Sequence, residues 1–334
     1  MKKIFLLLIV LISTSKIYSQ DSAPNIVLIT IDGLRWQEVF NGCDTQVIDN
    51  TDTFTRLMWS DTSSEARRKK LMPFFWNVIS EKGSLYGNRK FESRVNVSNF
   101  WRFSYPGYDE ILTGKCDLIP ILNTPTYNNS DNLLGIINDS VPEYKDKVVA
   151  IGSWDILEYI LNKKKSNFKI NSGFSEMCDT SFNILNSLQD SINDKSRTRF
   201  DELTFLYSKY YIDKYKPKMI YIGFGETDEF AHHKRYDLYL QQINKIDRMI
   251  GELWSMMQKD NFYKGNTIFI ITTDHGRGRS PKTWSYHFPL LPGCDETWMS
   301  IIGNKVKSVG EVKFKSQVYQ KDLFTLILDY ANQQ

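Results

Sequence analysis

The sequence has little net charge. Lys and Arg total 42 against 39 Asp and Glu, which leaves +3 over 334 residues. No overall field therefore favours a nucleic acid or an anionic membrane as the main partner, and an anionic ligand must be bound by a local site. The hydrophobic content of 41% is enough for one large α/β domain or two small ones, and it excludes disorder as the main state.

Cysteines are also few, and no two of them have the spacing of metal ligands. A zinc site built on thiolates is therefore not expected. An oxidising compartment would allow one or two disulfides, but the sequence does not show which cysteines would pair. The four are Cys43, Cys116, Cys178 and Cys294.

No apolar run is long enough to cross a bilayer. The run Ile4–Ile12 has about half of the ~20 residues that a spanning helix needs. It follows Lys2 and Lys3 and precedes small and polar residues, which is the order of a secretory signal peptide rather than of a retained anchor. We therefore predict a signal peptide over residues 1–19 and an exported protein, periplasmic or secreted, with no membrane span after cleavage.

Short apolar, β-branched runs recur along the chain. Asn25–Ile31 breaks at Asp32-Gly33, as a buried parallel strand does where it leaves a sheet. Segments of helical periodicity separate the other runs. Strands are predicted over 25–31, 148–152, 219–223, 267–273 and 298–303, and helices over 200–214, 236–258 and 323–330.

This alternation predicts an α/β fold, a three-layer α/β/α sandwich around a mostly parallel sheet, with ligands at the carboxyl ends of the strands. No repeat or linker divides the chain, so residues 20–334 are predicted to form a single domain. The most polar stretch, Asn123–Asp139, indicates a long surface loop. Residues 115–215 are long enough to include a substrate-cap segment in addition to the elements of the fold.

Each of the four histidines lies near a strand end or a carboxylate. Asp228 and His232 are four residues apart, so a helix would place both on one face to hold a cation, although a surface ion pair has the same spacing. Asp274-His275 directly follows a predicted strand, whose end holds ligands rigidly. Asp32 ends the first strand in the same way, and a helix N-cap would explain it if it stood alone.

Together these motifs resemble the alkaline phosphatase superfamily, and most closely its nucleotide pyrophosphatase/phosphodiesterase branch. In that branch the nucleophile lies in a Ser or Thr-x-Pro segment followed by Thr-Gly, and this chain has Ser104-Tyr-Pro106 and Thr113-Gly114. The resemblance runs from Asn25 to about His287. It implies a catalytic domain with Ser104 as nucleophile. It also implies six ligands: Asp228, His232 and His287 on one metal ion, and Asp32, Asp274 and His275 on the other.

The resemblance also implies the cofactors and the partner, which are two divalent metal ions and a small-molecule phosphate ester. Mixed histidine and carboxylate ligation fits zinc, with manganese or iron left open. A phosphoseryl intermediate would form on Ser104, and water would hydrolyse it. Four residues near the motifs are candidates for contact with the anion: Asn123, Arg102, Lys115 and Arg277.

Other functions on this scaffold stay open. A phosphomonoesterase is one, but no carboxylate cluster for a third metal is visible, so diesters or nucleotide-type esters are favoured. A sulfatase is another, since Ser104-x-Pro106 matches the start of the formylglycine motif, but Tyr108 stands where that motif needs arginine. A mutase or phosphotransferase would transfer the phosphoryl group to an alcohol. An inactive exported binding protein would be expected to lack a ligand or the nucleophile, and none is missing.

Overall fold

The computed structural model describes residues 23–195 and 198–333, so the predicted signal peptide lies outside the described residues. Within them the chain alternates strands and helices. The strands are β1 Asn25–Ile31, β2 Gly83–Tyr86, β3 Ser93–Asn96, β4 Val148–Gly152, β5 Lys169–Ser172, β6 Met219–Phe224, β7 Thr267–Thr272, β8 Glu296–Thr297, β9 Met299–Gly303, β10 Gly310–Glu311 and β11 Ser316–Tyr319.

The α-helices are α1 Trp36–Asn41, α2 Thr45–Ile48, α3 Thr53–Trp59, α4 Ser64–Leu71, α5 Ser80–Lys82, α6 Ser104–Thr113, α7 Leu133–Ser140, α8 Leu157–Ile160, α9 Asn183–Asp190, α10 Asp201–Tyr215, α11 Glu226–His232, α12 Tyr236–Lys259 and α13 Asp322–Ala331. A π-helical segment, Phe75–Ile79, precedes α5. Within the described residues, none of these helices combines the length and the apolar character that crossing a bilayer requires.

An eight-stranded sheet has the order β10-β2-β9-β7-β1-β6-β4-β5, and β11-β3-β8 form a small second sheet. In the large sheet β9 runs antiparallel to both of its neighbours, while the other pairings are parallel. The predicted α/β fold around a mostly parallel sheet is therefore confirmed. The predicted strands and the three predicted helices are all present, with ends shifted by one or two residues at most.

Alternate residues of β1 face two apolar clusters, one on each side of the sheet. Val27, Ile29 and Ile31 pack in a cluster that includes residues of α10 and α12. Ile26 and Leu28 pack in the other, with residues of α6, α7 and α13. A strand buried on both faces shows a continuous apolar run rather than an alternating one, which explains the sequence of β1.

The loop predicted over Asn123–Asp139 is wrong in its second half, where α7 begins at Leu133. The side chain of Asn132 accepts a hydrogen bond from the N–H of Gly135 at 3.0 Å and caps this helix. Leu133, Leu134 and Ile137 are buried. Their helical spacing decides the structure although the surrounding composition is polar.

The four cysteines are free in this structure, and Cys43 and Cys294 are buried. No disulfide therefore contributes to the fold of the described residues.

Candidate active site

Three neighbouring strands at the centre of the sheet bring the predicted ligands together. β1 lies between β7 and β6 and runs parallel to both, so the three carboxyl ends meet at one edge. Asp32 follows β1, and Asp274 and His275 follow β7. α11, which carries Asp228 and His232, begins two residues after β6.

The first predicted ligand group is formed by Asp32, Asp274 and His275, all of them buried. One ligand atom from each lies within 4.8 Å of the others. Nε2 of His275 is 3.5 Å from Oδ1 of Asp32 and 3.3 Å from Oδ2 of Asp274. These two carboxylate oxygens are buried and have no hydrogen-bond partner. Buried polar atoms without partners are rare, and they are expected where a cation belongs.

The hydrogen bond of the other ring nitrogen fixes how His275 faces this group. Nδ1 lies 3.0 Å from the carbonyl oxygen of Gly276, which can only accept, so Nδ1 carries the proton. Nε2 then presents its lone pair to the carboxylates of Asp32 and Asp274. Three potential ligand atoms therefore converge, and the imidazole places no proton between them. Such a donor set fits a divalent metal ion, and oxygen with imidazole nitrogen fits zinc.

The pKa shifts of this group have the same physical origin. Burial raises the pKa of Asp32 well above its usual value, and the nearby charge of Asp274 adds to the increase. Burial also raises the pKa of Asp274 to about 7 and lowers that of His275. A bound cation would supply the missing countercharge and favour the ionised carboxylates and the neutral imidazole.

The second predicted group, Asp228, His232 and His287, lies beside the first. Nε2 of His232 is 3.0 Å from Oδ2 of Asp228 and 3.1 Å from Nε2 of His287. Nδ1 of His287 donates to the carbonyl oxygen of Arg102 at 2.9 Å, which leaves its Nε2 as a ligand atom. Burial lowers the pKa of His287 well below its usual value, so this imidazole is neutral.

His275 and His287 join the two groups. Their rings stack with centroids 3.8 Å apart and planes at 8°. The second set of ligand atoms that lie within 4.8 Å of one another comes from Asp228, His275 and His287, and the exposed side chain of His232 adjoins it. All six predicted ligands thus lie in one continuous cluster.

Ser104 lies at the edge of this cluster as the first residue of α6. Its Oγ is 3.3 Å from Nε2 of His275, and the residue is buried. The first N–H groups of the ten-residue α6 lack helical partners and favour an anion close to Ser104. One of them, the N–H of Tyr105, donates to Oδ1 of Asn123 at 2.9 Å. Asn123 is therefore next to the predicted nucleophile.

A cleft of about 360 Å³ gives access to the cluster. Its lining includes Ser104 and predicted ligands from both groups. The segment that follows β4 and a residue close to the start of α10 line it as well. The lining residues are Asp32, Ser104, Asn123, Trp154, Asp155, Ile156, Thr198, Gly225, Asp228, Glu229 and His232.

Two other candidates for anion contact, Arg102 and Lys115, are placed differently from Asn123. Nη1 of Arg102 donates to the carbonyl oxygen of Leu291 at 3.1 Å, and Nη2 is 3.8 Å from Asp295. Lys115 lies past the far end of α6, about 15 Å of helix from Ser104. Neither Arg102 nor Lys115 is among the residues that line the cleft beside Ser104.

Arg277, the fourth candidate, is buried. Its Nη2 contacts Oδ1 of Asp228, and its Nε donates to the carbonyl oxygen of Gly33 at 3.1 Å. Nη1 donates to the carbonyl oxygen of Ser285 at 2.7 Å. Arg277 therefore supports the ligand Asp228 and the turn after β1.

Three contacts that hold the ligands were not predicted. The hydroxyl of Tyr108 donates to Oδ2 of Asp32 at 3.0 Å, and that of Thr227 donates to the carbonyl oxygen of Asp32 at 2.6 Å. The N–H of Gly33 donates to Oδ1 of Asp274 at 3.0 Å. Tyr108 is four residues after Ser104, a spacing that places both on one face of α6 and could have revealed it. The other two contacts join distant parts of the chain.

Comparison with known proteins places this geometry in a family. The sequence model described as type I phosphodiesterase / nucleotide pyrophosphatase matches residues 100–315. The match includes Ser104 and every predicted ligand except Asp32. No curated protein sequence gives a significant match.

Several solved structures share the fold. Murine ectonucleotide pyrophosphatase/phosphodiesterase 5, inactive and in complex with AMP, aligns over 93% of this chain and 96% of its own, with 12% identity and a TM-score of 0.57. A putative sulfatase from Bacteroides thetaiotaomicron aligns over 94% and 72%, with 12% identity and a TM-score of 0.59. A protein in the alkaline phosphatase superfamily from Vibrio parahaemolyticus aligns over 93% and 67%, with 12% identity and a TM-score of 0.54. At these identities the likeness concerns the fold.

Proposed function

Because this chain belongs to the type I phosphodiesterase / nucleotide pyrophosphatase family of the alkaline phosphatase superfamily, we propose that it hydrolyses phosphate esters with two divalent metal ions and Ser104 as nucleophile. The observation that carries this proposal is the convergence of Oδ1 of Asp32, Oδ2 of Asp274 and Nε2 of His275, with Oγ of Ser104 3.3 Å from the last. Neither carboxylate oxygen has another partner, so a metal ion gives all three atoms a role.

The predicted ligands form two groups, one for each metal ion. Asp32, Asp274 and His275 would hold the ion beside Ser104, and Asp228, His232 and His287 would hold the other. When bound, two such ions neutralise charge on phosphate oxygens and lower the pKa of the oxygens they contact. The dipole of α6 and the N–H of Ser104 at its start favour the remaining negative charge, since the N–H of Tyr105 already binds Asn123.

The reaction proceeds in two displacements at phosphorus. In the first, a bond forms between Oγ of Ser104 and phosphorus, the bond to the leaving alkoxide breaks, and the proton released by Ser104 balances the one that the alkoxide takes up. In the second, water attacks the phosphoseryl group opposite Oγ, its oxygen stays on phosphorus and the Oγ–phosphorus bond breaks. One proton of that water returns to Oγ of Ser104. Two in-line inversions give net retention at phosphorus.

The charge of the cleft supports a phosphodiester or nucleotide-type substrate. Among the described residues, no Lys or Arg lines the cleft. Arg102 contacts Leu291 and Asp295, and Arg277 contacts Asp228. A monoester dianion would gain most from an additional cation, whereas a diester monoanion needs less.

Sulfate-ester hydrolysis is the second candidate, because a putative sulfatase shares the fold. It would need residue 104 to be oxidised to formylglycine. Tyr108, at the position of the arginine of that motif, instead donates to the ligand Asp32. Mass spectrometry of residue 104 separates the two candidates, since our proposal requires an unmodified serine.

We also propose how the chain is divided into domains and where the protein is located. Residues 115–215 supply Asn123, the segment Trp154–Ile156 and Thr198 to the cleft, which supports a substrate-cap segment within this range, in one catalytic domain spanning residues 20–334. The signal-peptide pattern of residues 1–19 supports export to the periplasm or the medium.

The test compares kcat/KM for a nitrophenyl phosphate monoester and a bis-nitrophenyl phosphate diester. The diester should be preferred by the wild type, and Arg102→Ala should change this preference little. A strong monoester preference that Arg102→Ala abolishes would overturn the substrate assignment. Ser104→Ala should lower both activities by orders of magnitude while two metal ions stay bound. Full activity in that variant would overturn the mechanism.

A further inference from the structure

Two helices that begin beside the cluster cap each other. Asp201 is the first residue of α10, and its carboxylate accepts hydrogen bonds from the N–H groups of Gly225 at 2.8 Å and Glu226 at 3.2 Å, where α11 begins. Glu226 is the first residue of α11, and its Oε2 accepts from the N–H of Asp201 at 2.7 Å. Neither helix has a side-chain cap from its own N-cap residue. Each helix therefore depends on the carboxyl group of the other.

The carboxylate of Asp201 joins further elements at the same point. Its Oδ1 also accepts from Oγ of Ser153 at 2.6 Å, and its Oδ2 accepts from Nε2 of Gln242 at 3.0 Å. Ser153 follows β4 and directly precedes the cleft wall, and Gln242 belongs to α12. Asp201 is fully buried and has four donors. One carboxylate thus ties the start of α11 to the end of β4 and to α12.

α11 carries two ligands of one group but is only seven residues long. So short a helix has little stability of its own, and its position is set by the contacts at its ends. We propose that Asp201 and Glu226 are positioning residues that hold α11 where Asp228 and His232 bind their metal ion. This inference rests on the proposed two-metal function.

Loss of the positioning contacts should affect the binding of the two ions unequally. Asp32, Asp274 and His275 are held at the ends of β1 and β7, and the contact from Thr227 of α11 reaches the backbone carbonyl oxygen of Asp32 rather than its carboxylate. Loss of the reciprocal cap should therefore weaken the ion held by Asp228 and His232 and spare the other. Residues that support metal ligands typically change metal affinity 10- to 100-fold when they are replaced.

Isosteric variants give a sharp test. In Asp201→Asn the amide NH₂ must face either the N–H of Gly225 or that of Glu226, so at least one cap bond is lost. In Glu226→Gln the carboxamide oxygen can replace Oε2, which makes both hydrogen bonds of Glu226, so the cap is retained. Asp247→Asn is the matched control, because Asp247 is a buried carboxylate that accepts from the N–H groups of Phe74 and Phe75, away from α11.

The experiment titrates zinc into the metal-free protein by calorimetry and records circular dichroism and Tm. The wild type should bind two ions. Asp201→Asn should bind one normally and the other about 10- to 100-fold more weakly, with activity partly restored by excess zinc. Glu226→Gln should resemble the wild type. Asp247→Asn should change Tm but bind both ions normally.

Two results would overturn the inference. One is wild-type affinity for both ions in a folded Asp201→Asn protein. The other is equal weakening in Asp247→Asn, which would show general destabilisation. If Asp201→Asn does not fold, Ser153→Ala serves instead, because it removes a single donor to Asp201. It should weaken the binding of the same ion severalfold. Unchanged binding would equally refute the positioning role of Asp201. A wild type that binds no zinc would instead contradict the proposed function.

Discussion

Oδ1 of Asn123 accepts a hydrogen bond from the backbone N–H of Tyr105 at 2.9 Å, beside Ser104. With its oxygen occupied, the side-chain NH₂ of Asn123 remains as a donor at the cleft. We expect it to bind a non-bridging phosphate oxygen, so Asn123→Ala should raise KM for a diester about tenfold. Asn123→Asp should raise it further, because a carboxylate repels the anion. Steady-state kinetics measure both, with the exposed Asn129→Ala as control; an unchanged KM in both variants of Asn123 would refute the contact.

Gly107 lets α6 approach the loop that carries Asp274. A Cβ at this position would lie 2.4 Å from the carbonyl oxygen of Asp274, a backbone atom that cannot move aside alone. Gly107→Ala should displace Ser104 from the ligand cluster, and a shift of about 1 Å can cost about 100-fold in kcat.

Gly135, inside α7, provides the control for this prediction. A Cβ there would have its nearest neighbours at 3.7 Å, an ordinary contact distance. Gly135→Ala should stabilise the protein by about 0.5–1 kcal/mol and leave kcat unchanged. Equal kcat values for the two variants would contradict the close approach of α6 to Asp274.

Removal of metal should affect activity and stability together. The purified protein should contain about two zinc equivalents, and exhaustive chelation should abolish activity and lower Tm. An ion present at about 100 times its Kd stabilises the folded state by about 2.7 kcal/mol. Ser104→Ala should keep this dependence of Tm on zinc although it is inactive. Full turnover after chelation would contradict the metal assignment.

Asp247 should give the free energy of unfolding a measurable pH dependence. Burial raises the pKa of this carboxyl to about 7. Between pH ~4 and ~7 the folded state then binds more protons than the unfolded state, so this group makes the protein less stable as pH rises through that window. Asp247→Asn does not titrate. Its stability relative to the wild type should therefore rise with pH, by up to about 4 kcal/mol. Urea unfolding of both metal-free proteins at several pH values measures this, and a constant difference would refute it.

The sequence predicts the parts of the structure that depend on local pattern. β1 and β7 are buried on both faces, so their apolar runs are unbroken, and the ligands Asp32 and Asp274 lie where those runs end. α7 was missed because the polar residues before Leu133 dominate the local composition. The side-chain direction of Arg102 depends on Leu291 and Asp295, almost two hundred residues away.

The reciprocal cap illustrates the same limit. Asp201 and Glu226 each begin a helix, and acidic residues are common in the first turn of helices, so neither position is unusual in the sequence. Only the packing of α10 against the start of α11 brings each carboxyl group to the other helix. The strands β8 and β10 have two residues each, too few to leave a periodic signal.

The place of β1 between β6 and β7 determines when the ligand cluster can exist. β1 is the first strand of the described chain, and its partners begin at Met219 and Thr267. During synthesis β1 therefore cannot pair with both neighbours until β6 and β7 have been made, and His287 is added to the chain later still. A metal ion that needs all six residues would consequently be acquired late in maturation. Its identity would then depend on the metal supply of the compartment in which folding finishes, as much as on the ligands themselves.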